Sequence, residues 1–341
     1  MQSIISSCPY GLSNLIVAAA TCCSYSHLKS ITKSNTNMAI QREIWQDHIE
    51  GNLFKNNEFL LASTDAGQYV LQGKVVHIPQ AGVTPNIQKN RSSLPATVLQ
   101  RTDSDITYSL DEYTSDPILI PHAETIELSY NKRESILSEH ESSLKQTIAD
   151  NILVSWSPAT AASLLRTTGD ATASHLTSTT GNRLRMTAKD LKAAQLQLNK
   201  QNVPMEGRYA LLSADMFQQL TDDMSITQYR DFSSAYNVKD GVLGRIFGFN
   251  IMMRSNVVTY TNDATPIVNP YGASAAAADN DAVLCWQADA LERALGDIKF
   301  FERVDDPTFY GNVYSMSVRM GGRKRRNDGK GIVAIVQTAS A

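Results

Sequence analysis

The chain is short of cysteine, of charge and of any long apolar run. Its 341 residues hold four cysteines, Cys8, Cys22, Cys23 and Cys285. Three of them fall near the N-terminus and no CxxC pair occurs, which excludes a disulfide-built secreted fold, a zinc ribbon and a thioredoxin-type site. Cys285 stands in the apolar run 282–286 and reads as a small buried hydrophobe. No stretch of 18 apolar residues exists, so a helical membrane span is excluded. Charged residues make up 19% and the net charge is −3, a balance unlike that of a dedicated nucleic-acid coat. The motifs GxxxxGK[ST], GxGxxG and GxSxG are absent, leaving nucleotide-loop and serine-hydrolase readings without support. The histidines, His27, His48, His77, His122, His140 and His175, form no HxH or HExxH pair. No catalytic, cofactor or metal site is expected.

What is present is 42% hydrophobic residues, enough for a sizeable core. Residues 1–37 contain Lys29 and Lys33 and no acid, and read as an N-terminal extension, either upstream of a true start at Met38 or a cleaved leader. Residues 39–62 show helical periodicity, and 70–78 a short strand. Residues 79–117 contain Pro79, Pro85, Pro95 and Pro117 and too few apolar residues for a core of their own. They read as a long two-stranded arm that needs another surface to lie on. Alternation resumes over 118–130. The clearest helix follows, over 131–156, with Leu137, Leu144, Ile148 and Ile152 at helical spacing and a stop at Ser157-Pro158. Residues 159–186 read as a flexible loop, 187–202 as a helix, 209–212 as a buried strand and 214–220 as a helix capped by Ser213. A strand over 241–254, a loop over 262–281, a strand over 283–286 and a short helix over 288–295 come next. Strand 298–304 precedes a closing hairpin of 310–320 with 332–336, joined by 321–331.

Two charge clusters stand out. Arg323-Lys324-Arg325-Arg326 concentrates positive charge at the tip of that expected hairpin. It admits three readings: a patch facing nucleic acid, a pairing surface for a neighbour's acidic arm, or a solvated turn. Asp103, Asp105, Asp111, Glu112 and Asp116 form an acidic cluster without the spacing of an EF-hand. It reads as an arm whose charges meet bases of a neighbour.

The order of these pieces resembles the major capsid proteins of tailed bacteriophages with the HK97-type fold. The resemblance is carried by Asn90-Arg91 with Pro95-Ala96, Arg101-Thr102-Asp103 with Tyr108, Asp111-Glu112-Tyr113 and Asp116-Pro117. It continues in Glu127-Leu128-Ser129-Tyr130-Asn131-Lys132-Arg133, Trp156-Ser157-Pro158, residues 244–250, Tyr310-Gly311, Met320-Gly321-Gly322 and Gly329-Lys330-Gly331. It implies an α+β capsid fold. Residues 38–75 would be an N-terminal arm and 76–117 an extended E-loop. A peripheral domain would comprise 118–158 and 299–338, with the long helix as its spine, and 159–298 would be an axial α/β domain. The implied function is a non-enzymatic shell subunit that forms hexamers and pentamers around double-stranded DNA in a virion assembled in the bacterial cytoplasm. Implied partners are copies of itself, a scaffolding protein, a portal and a maturation protease, with non-specific contact to packaged DNA and none to a membrane. An encapsulin-like compartment enclosing protein cargo is the alternative, and an enzyme with an unrecognised site is a more distant one.

Overall fold

The computed structural model describes residues 57–71, 74–80, 104–121, 132–237, 240–326 and 328–339, together with 49, 53, 87 and 89–92. The chain divides into two units at Gly51, and every element below lies in the second. The expected extension 1–37 and most of the helix over 39–62 lie outside the described residues; at its end the chain forms a 3-10 turn, Glu58–Leu61. In chain order the strands and helices are β1 (Thr64–Asp65), β2 (Val70–Leu71), β3 (Val75–Gln80), β4 (Ser104–Ser109), β5 (Asp111–Thr114), β6 (Ile118–Pro121) and α1 (Lys132–Trp156). Then come β7 (Leu164–Arg166), β8 (Ala171–Ala173), β9 (Asn182–Leu184), α2 (Ala188–Lys200), β10 (Arg208–Ser213), α3 (Ala214–Asp222) and α4 (Ile226–Ser233). The chain closes with β11 (Gly244–Ile246), β12 (Phe249–Arg254), β13 (Val258–Tyr260), β14 (Asn280–Gln287), β15 (Leu291–Asp306), β16 (Gly311–Lys324) and β17 (Ile332–Val336).

The core is a mixed seven-stranded sheet in the order β11-β12-β10-β14-β17-β7, with β13 also on β14. All eight residues of β14 are buried, which is why its sequence runs apolar without alternation: both faces of the sheet are covered. On one face, Val283, Cys285, Val333 and Ile335 pack with Leu191, Leu198, Met216 and Phe232 of α2, α3 and α4. On the other, Trp286 meets Trp156 at 6.0 Å between ring centroids and donates its indole N–H to the Ala62 carbonyl at 2.8 Å.

A second sheet, β1-β15-β16-β5 with β6 also on β16, carries α1. The helix has 25 residues, a rod of roughly 38 Å. Its buried stripe is Leu137, Leu144, Ile148, Ile152 and Trp156, the spacing the sequence predicts. Gly322 lets the helix lie against β16, because a Cβ there would stand 2.7 Å from Trp156 Nε1 and 3.1 Å from the Glu292 carbonyl oxygen.

Several sequence expectations are corrected. The expected loop 159–186 contains β7, β8 and β9, strands of three residues each: β7 joins the core sheet beside β17, and β8 and β9 pair with each other as a small hairpin. The expected helix 288–295 is a 3-10 turn at Ala288–Ala290 followed by β15. Leu291, Glu292, Arg293 and Ala294 are good helix formers, but here each has a partner in β16, and pairing overrides propensity. Residues 241–254 form a hairpin instead of one strand. Phe247 and Gly248 both have positive φ, as a two-residue turn between Ile246 and Phe249 requires. The strand expected over 70–78 is divided, with Val70 paired to Val76 across a turn. The closing hairpin does not exist: β16 pairs with β15, β5 and β6, whereas β17 pairs with β14 and β7. β15 and β16 are thus a long ribbon inserted between two neighbouring strands of the core sheet. The helix α4 and the strand β13 had no sequence counterpart.

Candidate assembly surface

The basic run lies at the return of the chain from β16 to the core sheet, not at a hairpin tip, and most of its charge is already engaged. Arg323 pairs across the ribbon with Glu292 in the strand register and sits over the Tyr108 ring at 5.7 Å. Its Nε lies 3.9 Å from Glu292 Oε1. Burial raises the Glu292 carboxyl above its ordinary pKa, and the nearby Arg323 and Arg325 oppose that rise. Lys324 donates from Nζ to the Ser157 carbonyl at 2.8 Å, placing a cation at the C-terminal end of α1, where the helix dipole favours it. Arg326 and Lys330 both reach Asp328, at 2.8 and 3.5 Å. Arg325 is exposed, and among the described residues its side chain has no ion pair.

The acidic cluster divides in the same way. Glu112 accepts from Arg319 Nη2 at 2.8 Å and from Ser317 Oγ at 3.0 Å. These two hydrogen bonds hold its carboxyl below the ordinary carboxylate range. Asp111 lines a cleft of about 730 Å³ together with Arg323, Lys324 and Arg326, so acid and base expected to meet across subunits share one cleft within this one. Asp116 is exposed. Asp103 and the side chain of Asp105 lie outside the described residues.

A buried polar node had no sequence signal. His175, between β8 and β9, places Nε2 2.9 Å from Asp281 Oδ2, and Ser213 Oγ donates to the same oxygen. Ser213 also accepts from the Met216 N–H as the cap of α3. The serine proton is directed to the carboxylate and not to the imidazole, so the three residues tie strands together and do not activate a nucleophile. Arg183, buried close by, donates to the carbonyls of Thr180, Asn182, Ala277 and Asp279. It fastens the loop before β14 to β9. Burial works against a charge on His175, but the hydrogen bond to Asp281, with the charges of Asp281 and Asp215, outweighs it and raises the imidazole pKa. The folded state therefore binds the proton more tightly than the unfolded chain. That stabilisation is complete below the ordinary histidine value of about 6.5 and is lost as pH rises through the folded value. His175→Gln is expected to lower the melting temperature roughly 2–4 °C more at about pH 5.5 than at about pH 8.5. Equal losses at the two pH values would show that the pair carries no proton linkage.

Among the described residues no group of three or more His, Cys, Asp and Glu is placed to hold a metal ion, and no helix is long and apolar enough to cross a membrane. A core sheet carrying a long ribbon, backed by a single long helix, defines a mixed α+β architecture, and solved phage capsids share it. The capsid of cyanophage P-SCSP1u superposes with a TM-score of 0.55 at 17% identity, covering 82% of this chain and 86% of that one. The capsid of Ralstonia phage GP4 gives 0.56 at 13%, covering 82% and 88%. The capsid asymmetric unit of cyanophage Pam1 gives 0.55 at 12%, also covering 82% and 88%. At these identities the likeness establishes the fold, of the HK97 type. Residues 131–337 match the family model described as phage capsid protein. The chain belongs to the phage capsid protein family: it is a structural protein of phage heads, not an enzyme. No curated protein sequence matches it.

Proposed function

We propose that the chain is the repeating subunit of a closed icosahedral shell, built of hexamers and pentamers around double-stranded DNA, with a scaffolding protein, a portal and a maturation protease as assembly partners. The observation that carries this reading is the ladder of β3 and β4. Its pairs run from Val75 with Ser109 to Gln80 with Ser104, and its root is packed by Val76 and Leu110 against Ala66 and Ala294. Among the described residues the only other strand paired with it is the short β2. A two-stranded arm held at its root is stable when a neighbour covers it.

In this reading 76–117 is the extended loop that lies over a neighbouring subunit, and α1 is the spine of a peripheral part formed by 118–158 with residues 299–306 of β15 and with β16. Residues 159–298 are the axial part, and β17 goes with it because it pairs with β14. Among the described residues of the two clusters, Arg325, Asp111 and Asp116 are exposed and make no ion pair within the chain, which supports pairing between the basic return and an adjacent arm. The test is sedimentation of the expressed full chain with negative-stain imaging. Capsomers or closed particles are expected, and a single 37.5 kDa body under all assembly conditions would overturn the reading.

A further inference from the structure

The face of the core sheet that carries α2 and α3 changes character at one end. Leu165, Ile335 and Val283 stand level on β7, β17 and β14 and pack on the apolar core. One step further on the same face, the row becomes Thr167, Gln337 and Asp281. The ladder continues to them, because the Gln337 N–H donates to the Asp281 carbonyl at 2.9 Å and the Thr167 N–H to the Val336 carbonyl at 3.2 Å. All three residues are buried. The hairpin of β8 and β9 covers this row. Thr167 Oγ1 donates to the Leu184 carbonyl at 2.9 Å, and His175, between the two strands, reaches Asp281. The Asp281 carboxylate is fully engaged, since it also accepts from Ser213 Oγ and from the Ala282 N–H at 2.8 Å.

Among the described residues, four buried side-chain atoms around the row have no hydrogen-bond partner: His175 Nδ1, Arg183 Nε, and Nε2 and Oε1 of Gln337. Gln337 is 0% exposed and Arg183 3%. Buried polar atoms in folded proteins nearly always have a partner, in the protein or in ordered water. A buried amide with neither end paired is costlier than an apolar side chain of the same shape. The donors and acceptors present identify the ligand. Arg183 Nε only donates, and the Gln337 amide donates and accepts. His175 Nδ1 donates in the imidazolium, but accepts in the neutral ring that keeps its proton on Nε2, toward Asp281. An anion serves only the donors, and a metal cation only the acceptors. Water serves both, and a buried water typically takes about three such partners. A cleft of about 320 Å³ lined by Leu176, Thr177, Asp279 and Asp281 brings solvent to the edge of the node.

We propose that this node binds ordered water between His175 Nδ1 and the Gln337 amide, with Arg183 Nε as a further donor, and that the water couples Gln337 to the protonation of His175. Asp281 of β14 and Asp215 of α3 act on the imidazole, and Arg183 of β9 lies near it. Asp279 is turned to the Ala276 N–H, and Asp190 of α2 to Thr168 and Thr187. None of these carboxylates accepts from Nδ1. A crystal structure or electron cryo-microscopy map of the full chain, fine enough to show ordered water, is expected to place one within hydrogen-bond distance of both His175 Nδ1 and Gln337. Gln337→Met, similar in shape, is expected to lower the melting temperature by roughly 3 °C at about pH 5.5 and by less at about pH 8.5, because the imidazolium proton on Nδ1 loses its relay to the amide. A dry node predicts the opposite sign. There methionine removes a buried unpaired amide, and the melting temperature holds or rises at both pH values. A melting temperature that holds or rises, an equal loss at the two pH values, or a map with no water at these atoms overturns the proposal.

Discussion

A chain in which residues 81–103 are replaced by an Asn-Gly pair keeps its body and closes no particles. The replacement joins Gln80 to Ser104, which are already partners in the ladder, and two residues with positive φ are what a tight hairpin accepts. The root stays as it is, since Val76 and Leu110 remain packed on Ala66 and Ala294. β5 and β6 keep their pairing with β16. The melting temperature is therefore expected within about 3 °C of the parent, under roughly 2 kcal/mol at this size. Assembly is another matter. A specific interface buries about 1,200–2,000 Å², and a long arm supplies such an area without enlarging the core. Its removal is expected to abolish closed particles in negative stain and to leave single subunits or isolated capsomers in sedimentation. Normal particles from the shortened chain would remove the arm from the assembly account.

The largest expected effect on stability is at Trp156. Its ring is fully buried, edge-on to Phe59 at 6.1 Å and tilted on Trp286 at 6.0 Å. Its indole N–H donates to the Glu292 carbonyl at 3.1 Å. Three parts of the chain thus converge on one side chain: the segment before β1, the end of α1, and the passage from β14 into β15. Trp156→Ala is expected to cost about 4 kcal/mol, through lost transfer energy and the cavity left behind. That corresponds to roughly 5–6 °C in melting temperature for a chain of this length. Trp156→Phe keeps most of the packing and loses the hydrogen bond, at about 1–2 kcal/mol. A calorimetric scan in which the alanine variant melts within about 2 °C of the parent would show that the convergence carries no energy.

What was legible in the sequence was what local pattern controls. The helix α1 was visible in the spacing of Leu137, Leu144, Ile148 and Ile152, and its end in Ser157-Pro158. The strand β14 was visible as an apolar run because both of its faces are covered. Illegible parts depend on partners distant in sequence. Leu291 to Ala294 look helical alone and become strand through β16. The residues 310–336 look like one hairpin because a glycine-rich stretch separates two apolar segments, and nothing local says that each has a different neighbour. The basic run looked free for the same reason. Glu292 and Ser157, which engage Arg323 and Lys324, stand far from it in the chain. His175 and Asp281 meet across 106 positions, and neither carries a motif.

The ribbon also bears on how the core sheet closes. β14 and β17 are adjacent in space, yet the whole of β15 and β16 lies between them in sequence. Bringing distant segments together carries an entropic penalty that grows with the open length between them. Because the intervening chain is itself antiparallel, zippering from the 307–310 turn brings Leu291 opposite Lys324. The span left open is then only the two short roots, Ala288–Ala290 and residues 325–331. A non-local pairing at the centre of the molecule thereby becomes, once the zipper has run, a local one.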